Sequence, residues 1–293
     1  YSKLYSKLYS KLYSKLYSKL YSKLYSKLYS KLYILKIIKG GSMAMIVASV
    51  GSKGGIGKST FNKQLAVMSA AAGYKTVALD CDDKQNSIET WNNRRVDFGQ
   101  AKYVDYDGNL NLVSESSKLV NGVIDSCINA GFERIIVDLP GRLDVPQGEM
   151  LLKADFAFCP LSGSADDYDV LPEMSELLER AAKYKPNLVL HVVYNKAHPN
   201  AKRRDSEFED LKYQCSKMDR LNLLPIYVKD VVSIKDAAKY GLSLFEFAQL
   251  SSSNIKMNDH NIQAFEDLYE EIFNEKWVLA KEFTDGEAIT ETA

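Results

Sequence analysis

Residues 52–60 read Ser52-Lys53-Gly54-Gly55-Ile56-Gly57-Lys58-Ser59-Thr60, between an apolar run at residues 45–50 and a helical pattern that begins near Lys58. Successive glycines let backbone N–H groups converge on a polyphosphate, and the following helix directs its positive end toward the same anion. The lysine adds a positive charge, and the next hydroxyl is a ligand for Mg²⁺. This stretch therefore predicts a strand, a phosphate-binding loop and a helix, with residues 54–60 as nucleotide contacts and Ser59 as a metal ligand.

The loop departs from the common pattern G-x-x-x-x-G-K-[ST], because Ser52 stands where the first glycine is expected. It reads instead K-G-G-x-x-K-[ST], beginning at Lys53. This arrangement resembles the deviant Walker A motif of the ParA/MinD superfamily of ATPases. The resemblance implies ATP and Mg²⁺ as cofactors, slow ATP hydrolysis, a homodimer on ATP binding, and catalytic roles for Lys53, which would reach the partner's phosphates, and for Lys58. From the residues alone, a glycine-rich turn that caps a helix stays open.

Strand-length apolar segments alternate with helical patterns after residue 43, which is typical of a parallel sheet covered on both faces. We predict an α/β fold of the P-loop NTPase class, with a single doubly wound, mostly parallel sheet. The candidate strands are residues 46–50, 76–80, 134–139, 156–161, 188–194 and 223–228. The candidate helices are residues 58–72, 87–94, 116–130, 167–184, 200–218, 233–240 and 261–277.

Residues 1–32 are eight copies of Tyr-Ser-Lys-Leu. On a helix a four-residue period drifts by about 40° per repeat, so no face stays apolar. As a strand the repeat would form a long edge without a partner. We predict that residues 1–42 are a leader or linker that is disordered or not part of the native protein, 43–280 the ATPase domain and 281–293 an acidic tail. Three origins stay open for the leader: repeated DNA upstream of a start at Met43 or Met45, an engineered tag, and a genuine basic arm.

The charge balance bears on possible partners. The chain carries 38 basic and 38 acidic residues, but residues 1–42 contribute ten lysines and no acid. The rest therefore holds 28 basic against 38 acidic side chains, so DNA binding would need a local basic patch. Four cysteines without C-x-x-C spacing predict neither a disulfide framework nor a zinc site. No apolar run reaches the roughly 18–20 residues that cross a bilayer, and we predict a cytoplasmic protein.

Asp80 ends the second candidate strand, and Asp82 follows two residues later. Open α/β sheets bind their ligands at the carboxyl ends of the strands, which places both carboxylates beside the loop. The spacing resembles the D-x-D of switch I in ParA proteins, which implies that Asp82 positions the attacking water and Asp80 supports the metal. The following loop differs from the family's, so Asp83 is a rival to Asp82. A cluster that caps the helix beginning at Ser87 is the alternative.

A third carboxylate, Asp138, ends the strand at 134–139 and is followed three residues later by Gly141 and then Arg142. The segment resembles the Walker B and switch II region of the family, which implies a catalytic and metal-binding Asp138 and a Gly141 that senses the γ-phosphate. A carboxylate that only caps a strand stays open. Asn195 resembles the family's reader of the purine edge. Lys229 opens a segment that resembles the stretch folded over the base.

Basic residues recur in the second half of the chain. The DNA-binding candidates are Lys202, Arg203, Arg204, Arg220 and Lys235, with Lys217, Lys229 and Lys239 as further members. The short interval between Met43 and the loop leaves no room for a helix-turn-helix, so autonomous operator binding is not expected, and the family resemblance implies non-specific DNA binding instead. The family resemblance further implies a ParB-like centromere-binding partner, nucleoid association and plasmid or chromosome segregation.

Two alternatives remain for these features. A solvated helix face would explain the basic residues without DNA. A MinD-like or other positioning ATPase for a non-DNA cargo, or a conjugation accessory protein, would share the nucleotide motifs. Membrane attachment of the MinD type needs a basic amphipathic helix, whereas residues 281–293 are acidic, so no membrane partner is expected.

Overall fold

The computed structural model describes residues 44–82, 87–98, 106, 108–117, 119–142, 145–250 and 252–280. The predicted leader, the acidic tail and Asp83 lie outside the described residues. Within the described ranges, no helix combines the length and apolar character that crossing a bilayer requires.

Seven parallel strands form one sheet. They are β1 Met45–Ser49, β2 Thr76–Asp80, β3 Leu110–Ser114, β4 Arg134–Asp138, β5 Phe156–Leu161, β6 Leu190–Ala197 and β7 Leu221–Lys229. Their order across the sheet is β3-β2-β4-β1-β5-β6-β7. The central strands β1, β2, β4 and β5 are short, mainly apolar and buried apart from Met45, as expected where helices cover both faces.

Helices flank the sheet on both sides. Those in the described residues are α1 Lys58–Ala71, α2 Ser87–Asp97, α3 Val120–Asn129, α4 Val145–Lys153, α5 Ala165–Tyr168, α6 Leu171–Ala182, α7 Ala201–Ser216, α8 Val232–Lys239, α9 Leu244–Phe247 and α10 His260–Phe273. The core on one face contains Phe61 of α1 and Phe265 of α10. The core on the other contains Ile124 of α3 and Leu178 of α6. The predicted α/β fold class is confirmed.

The predicted helix at 167–184 is wrong in one respect, because the structure divides it into α5 and α6. The Ser164 side chain accepts a hydrogen bond from the Asp167 N–H and starts the short α5. Pro172 then lies in the first turn of α6, where its missing N–H is tolerated. The prediction also missed β3, α4 and α9.

The strand β7 forms one edge of the sheet. It extends to Lys229, and its pairing with β6 is irregular between Val192 and Tyr194 and between Asn195 and Ala197. Pro225 lies midway along β7 and is exposed. Proline is tolerated at such a position because an edge strand leaves one side of its ladder unpaired.

A buried ion pair joins α2 to α9. Arg95 and Glu246 are both essentially unexposed, and Arg95 Nη1 donates to Glu246 Oε2 at 3.0 Å. Arg95 also donates to the Gly241 carbonyl at 2.9 Å, and the Tyr106 hydroxyl donates to Glu246. The pair links two segments that are 151 residues apart, so it fixes the C-terminal helices against the first half of the sheet.

Candidate functional site

The loop between β1 and α1 has the backbone shape of an anion-binding cradle. Gly55 and Gly57 have positive φ values of 77° and 107°, which glycine adopts without strain. A Cβ on Gly57 would lie 2.3 Å from Asn195 Nδ2, so a larger residue would have to displace the Asn195 side chain. Gly57 also occupies the N-cap position of α1 without a side-chain cap. The N-cap residue therefore does not occupy the N–H groups at the start of this helix, which are the groups that bind anions at a helix N-terminus.

Lys58 lies inside the cradle. It is 6% exposed, and its Nζ donates to the Lys53 carbonyl at 3.0 Å. Burial lowers the pKa of Lys58, whereas the nearby charges of Asp138 and Asp82 raise it. A buried ammonium held by the loop's own carbonyl is placed to exchange that bond for one to a phosphate oxygen.

The predicted carboxylates meet at the carboxyl edge of the sheet. Asp80 and Asp138 stand opposite each other in the β2–β4 register, and Ser49 stands opposite Asp138 in the β1–β4 register. Burial raises the pKa of Asp138 to about 6, against a hydrogen bond from the Ser59 side chain that lowers it. The Oδ2 atom of Asp138 is buried without a hydrogen-bond partner.

The Ser59 hydroxyl and the Asp138 carboxylate are suitable ligands for a magnesium ion. An orphaned buried carboxylate oxygen calls for an explanation, and a serine hydroxyl with one carboxylate is a set that Mg²⁺ uses together with phosphate oxygens and water. Among the described residues, no three His, Cys, Asp or Glu side chains gather into a metal cage.

Asp80 holds the start of the switch I segment. Its Oδ2 accepts a hydrogen bond from the Ile88 N–H at 2.7 Å and its Oδ1 one from the Asp82 N–H at 3.2 Å. The side chain thus satisfies a free N–H at the beginning of α2. Asp82 follows at the edge of the site, half-buried. The metal role of Asp80 and the water-positioning role of Asp82 stay predictions.

Gly141 lies directly against the phosphate loop. A Cβ at this position would be 2.6 Å from the Lys53 carbonyl carbon and 2.7 Å from the Gly54 nitrogen. Sequence reasoning missed the residue that reinforces this contact, Gln147 of α4. Its Nε2 donates to the carbonyls of Pro140, at 2.6 Å, and Gly51, at 3.1 Å. Gln147 lies in a helix that was not predicted from the sequence, and no local sequence pattern indicates its contact with the loop.

Lys53 lies at the surface of the same subunit. Its Nζ donates to the Asp166 carbonyl and lies 3.8 Å from Asp167 Oδ1. Asp167 is itself buried and accepts hydrogen bonds from the N–H and hydroxyl of Ser162. Gly54 and Gly55, next to Lys53, are exposed. The two lysines of the loop therefore point to different places, one inward and one along an open face.

Asn195 and Lys229 lie at the ends of β6 and β7. The Asn195 side chain is buried, and its Nδ2 donates to the Ile56 carbonyl at 2.7 Å. The backbone of Lys229 is held by Asn261, which accepts from its N–H at 2.9 Å and donates to its carbonyl at 3.1 Å. Asn195 thus braces the loop, and base contacts by either residue stay predictions.

The DNA-binding candidates do not form one patch. Lys202 and Arg203 begin α7, and Lys235 lies on α8. Both helices follow the carboxyl ends of strands, so these three residues lie toward the end of the sheet that carries the phosphate loop. Arg204 packs its guanidinium 4.8 Å from the Tyr227 ring centroid. Arg220 directly precedes β7, at the amino ends of the strands and thus at the opposite end of the sheet. Its guanidinium is bound to Glu179 and to the Pro186 carbonyl. Arg220 therefore cannot join a surface formed by the others.

Comparison with known proteins bears on the identity of this site. The family described as ATPase MipZ matches residues 44–205, more than half of the chain. The septum site-determining protein MinD of Helicobacter pylori (strain ATCC 700392 / 26695) is 26% identical over 183 residues, which cover 54% of this chain and 68% of that protein.

Two solved structures share the fold. A putative plasmid partition protein from Borrelia burgdorferi B31 bound to AMPPNP superposes with a TM-score of 0.53 at 19% identity, over 79% of this chain and 98% of that one. The septum site-determining protein MinD from Pyrococcus horikoshii OT3, complexed with Mg-ADP, gives a TM-score of 0.56 at 19% identity, over 78% and 96% of the two chains. At such identities these likenesses show the fold alone.

Proposed function

Since the chain belongs to the MipZ ATPase family, within the ParA/MinD superfamily, we propose that it is a dimerising partition ATPase. In its ATP state it binds DNA non-specifically and segregates plasmid or chromosomal DNA with a centromere-binding partner. The observation that carries the proposal is the division between the two loop lysines. Lys58 is buried under the cradle, whereas Lys53 and the exposed Gly54 and Gly55 lie on an open face.

The chain's own residues account for nucleotide binding. The N–H groups at the start of α1 and the Lys58 ammonium bind the phosphates, and Ser59 with Asp138 holds Mg²⁺. The ion neutralises charge on the phosphate oxygens when it is bound. Gly141, in contact with Lys53 and Gly54, brings switch II to the same phosphates.

Hydrolysis in this scheme depends on positioning. Catalysis of phosphoryl transfer consists mainly of orienting the nucleophile and stabilising charge. Asp82 orients the water, and Lys53 leaves Asp166 and Asp167 to bind the partner subunit's phosphates. A monomer whose Lys53 remains on its own α5 lacks that charge, which gives a slow basal rate.

The experiment is a salt titration of duplex DNA binding with a non-hydrolysable ATP analogue and with ADP. We expect unrelated duplexes to bind the analogue form equally, because phosphate contacts carry no sequence information. Replacing Lys202 and Arg203 by glutamine should reduce the log–log salt slope by about one to two units. Lys183→Gln, an exposed lysine at the end of α6, is the matched control. An analogue form that binds DNA no better than the ADP form would contradict the partition role.

A second candidate function is positioning of a non-DNA cargo. It is favoured by the likeness to a septum site-determining protein over 183 residues. Analogue-dependent dimerisation without DNA binding would support this candidate, and the proposed cycle of ATP binding, dimerisation and hydrolysis would still apply.

A further inference from the structure

Two consecutive side chains at the end of β6 bind two consecutive carbonyls of the phosphate loop. Asn195 Nδ2 donates to the Ile56 carbonyl at 2.7 Å, and Lys196 Nζ donates to the Gly55 carbonyl at 2.9 Å. Asn195 is buried and Lys196 is exposed. The two bonds together hold the middle of the loop from outside the cradle.

The direction of a carbonyl fixes the direction of the next N–H, because the peptide unit is planar and its C=O and N–H point to opposite sides. With the Gly55 carbonyl turned toward Lys196, the Ile56 N–H points the other way. With the Ile56 carbonyl turned toward Asn195, the Gly57 N–H does the same. Both donors are thereby turned from the β6 end toward the loop interior, where an anion would bind.

The backbone of β6 is shaped so that both side chains reach the loop. In a regular strand, neighbouring side chains point to opposite faces. Lys196 instead has a φ of +56°, which is uncommon for a residue other than glycine, and the pairing with β7 shifts between Asn195 and Ala197. This irregularity breaks the alternation of side-chain directions, so that the side chains of Asn195 and Lys196 both reach the phosphate loop.

We propose that Lys196 is a positioning residue of the nucleotide site, which holds the Gly55 carbonyl outward and so orients the Ile56 N–H toward bound phosphate. The proposal rests on the proposed nucleotide binding. It gives the third lysine near the loop a role distinct from those of Lys58, which binds phosphate from inside, and Lys53, whose ammonium contacts Asp166 and Asp167 of α5. The alternative is that Lys196 is an exposed lysine whose hydrogen bond to the Gly55 carbonyl has no effect on nucleotide binding.

The test measures MgADP binding to the full chain by calorimetry, together with the melting temperature of the nucleotide-free protein. Lys196→Met removes the donor and should weaken MgADP binding about fivefold, the effect of losing one partly exposed charge-assisted hydrogen bond. Lys196→Arg keeps a donor and should bind within about twofold of wild type. Lys212→Met, an exposed lysine paired with Glu209 on α7, is the control and should change neither quantity.

Lys196→Gly separates the side chain from the backbone. Glycine relieves the left-handed conformation, so the melting temperature of this variant should not fall, yet its MgADP affinity should fall as in Lys196→Met. Wild-type affinity in Lys196→Met, or equal losses in Lys196→Met and Lys212→Met, would overturn the positioning role. So would a loss in Lys196→Arg as large as in Lys196→Met. A wild-type protein that binds no nucleotide would instead contradict the proposed function itself.

Discussion

The two loop lysines are distinguished by their surroundings. Lys58→Ala removes a buried charge from the cradle, so nucleotide affinity itself should fall by tenfold or more, roughly the effect of losing a charge-assisted bond. Lys53→Ala should keep most of that affinity and lose analogue-dependent dimerisation and hydrolysis. Sedimentation with a non-hydrolysable analogue and calorimetry separate the two outcomes. A Lys53→Ala protein that dimerises and turns over normally would contradict the role of Lys53 across the dimer.

Asp138 is a buried carboxylate whose burial lowers the stability of the folded protein. Burial raises its pKa to about 6 from the ordinary value of 3.8, so the folded protein binds a proton over this range that the unfolded chain releases. The free energy of unfolding therefore decreases as the pH rises toward 6, and the loss is complete above it. Asp138→Asn should raise the free energy of unfolding at pH 7.5 by up to about 3 kcal/mol and have little effect near pH 4.

The same variant should lose the magnesium dependence of ADP binding, because it lacks the carboxylate charge. Thermal unfolding at the two pH values, with and without MgADP, measures both effects. Asp125→Asn, an exposed carboxylate on α3 paired with Lys153, is the control. An Asp138→Asn protein less stable than wild type at pH 7.5 would contradict this account.

At the level of elements, switch II and the phosphate loop are in contact through Gly141. Gly141→Ala places a methyl group within 2.6–2.7 Å of the loop backbone, which must then shift. We expect a loss of about 1–3 kcal/mol in the free energy of unfolding, as in overpacked cores, and a clear decrease in MgADP affinity.

Gly122→Ala provides the matched control, since a Cβ there meets nothing within 4 Å inside α3. It should stabilise the protein by about 1 kcal/mol through helix propensity and leave nucleotide binding unchanged. Denaturant unfolding and calorimetry measure the two variants side by side. Equal MgADP affinity in both would show that the Gly141 contact does not shape the loop.

The sequence predicted the elements whose patterns are local. The buried strands β1, β2, β4 and β5 are short apolar runs, and α1 follows a glycine loop, so all were placed within one residue of their observed bounds. The edge strand β3 is half polar, and α4 contains Pro146 and Gly148, so neither has a clear period. Contacts such as Gln147 with Gly51 and Lys196 with Gly55 join residues that are 96 and 141 positions apart, and no local pattern reports them.

At the scale of the whole molecule, the Arg95–Glu246 pair ties the two halves of the chain together. Glu246→Gln leaves Arg95 charged and buried, so the free energy of unfolding should fall by about 3–5 kcal/mol. The double variant Arg95→Met/Glu246→Gln should be less destabilised than the sum of the two single changes predicts. The reason is that each single change leaves the other charge buried without its partner, whereas the double variant contains neither charge. Arg203→Met, which removes an exposed pair with Glu207, should cost less than about 1 kcal/mol. Urea unfolding of wild type and the four variants checks this, and additivity of the two single changes would contradict the coupling.

Pro225 has a consequence for how copies of the chain meet. An open sheet edge can template the strand of another molecule and so lead to fibrous aggregates. Midway along β7, Pro225 is exposed and has no N–H to give to an incoming strand. Addition of a further strand at this edge of the sheet is thus interrupted midway along β7, and Pro225 limits aggregation of the chain through that edge.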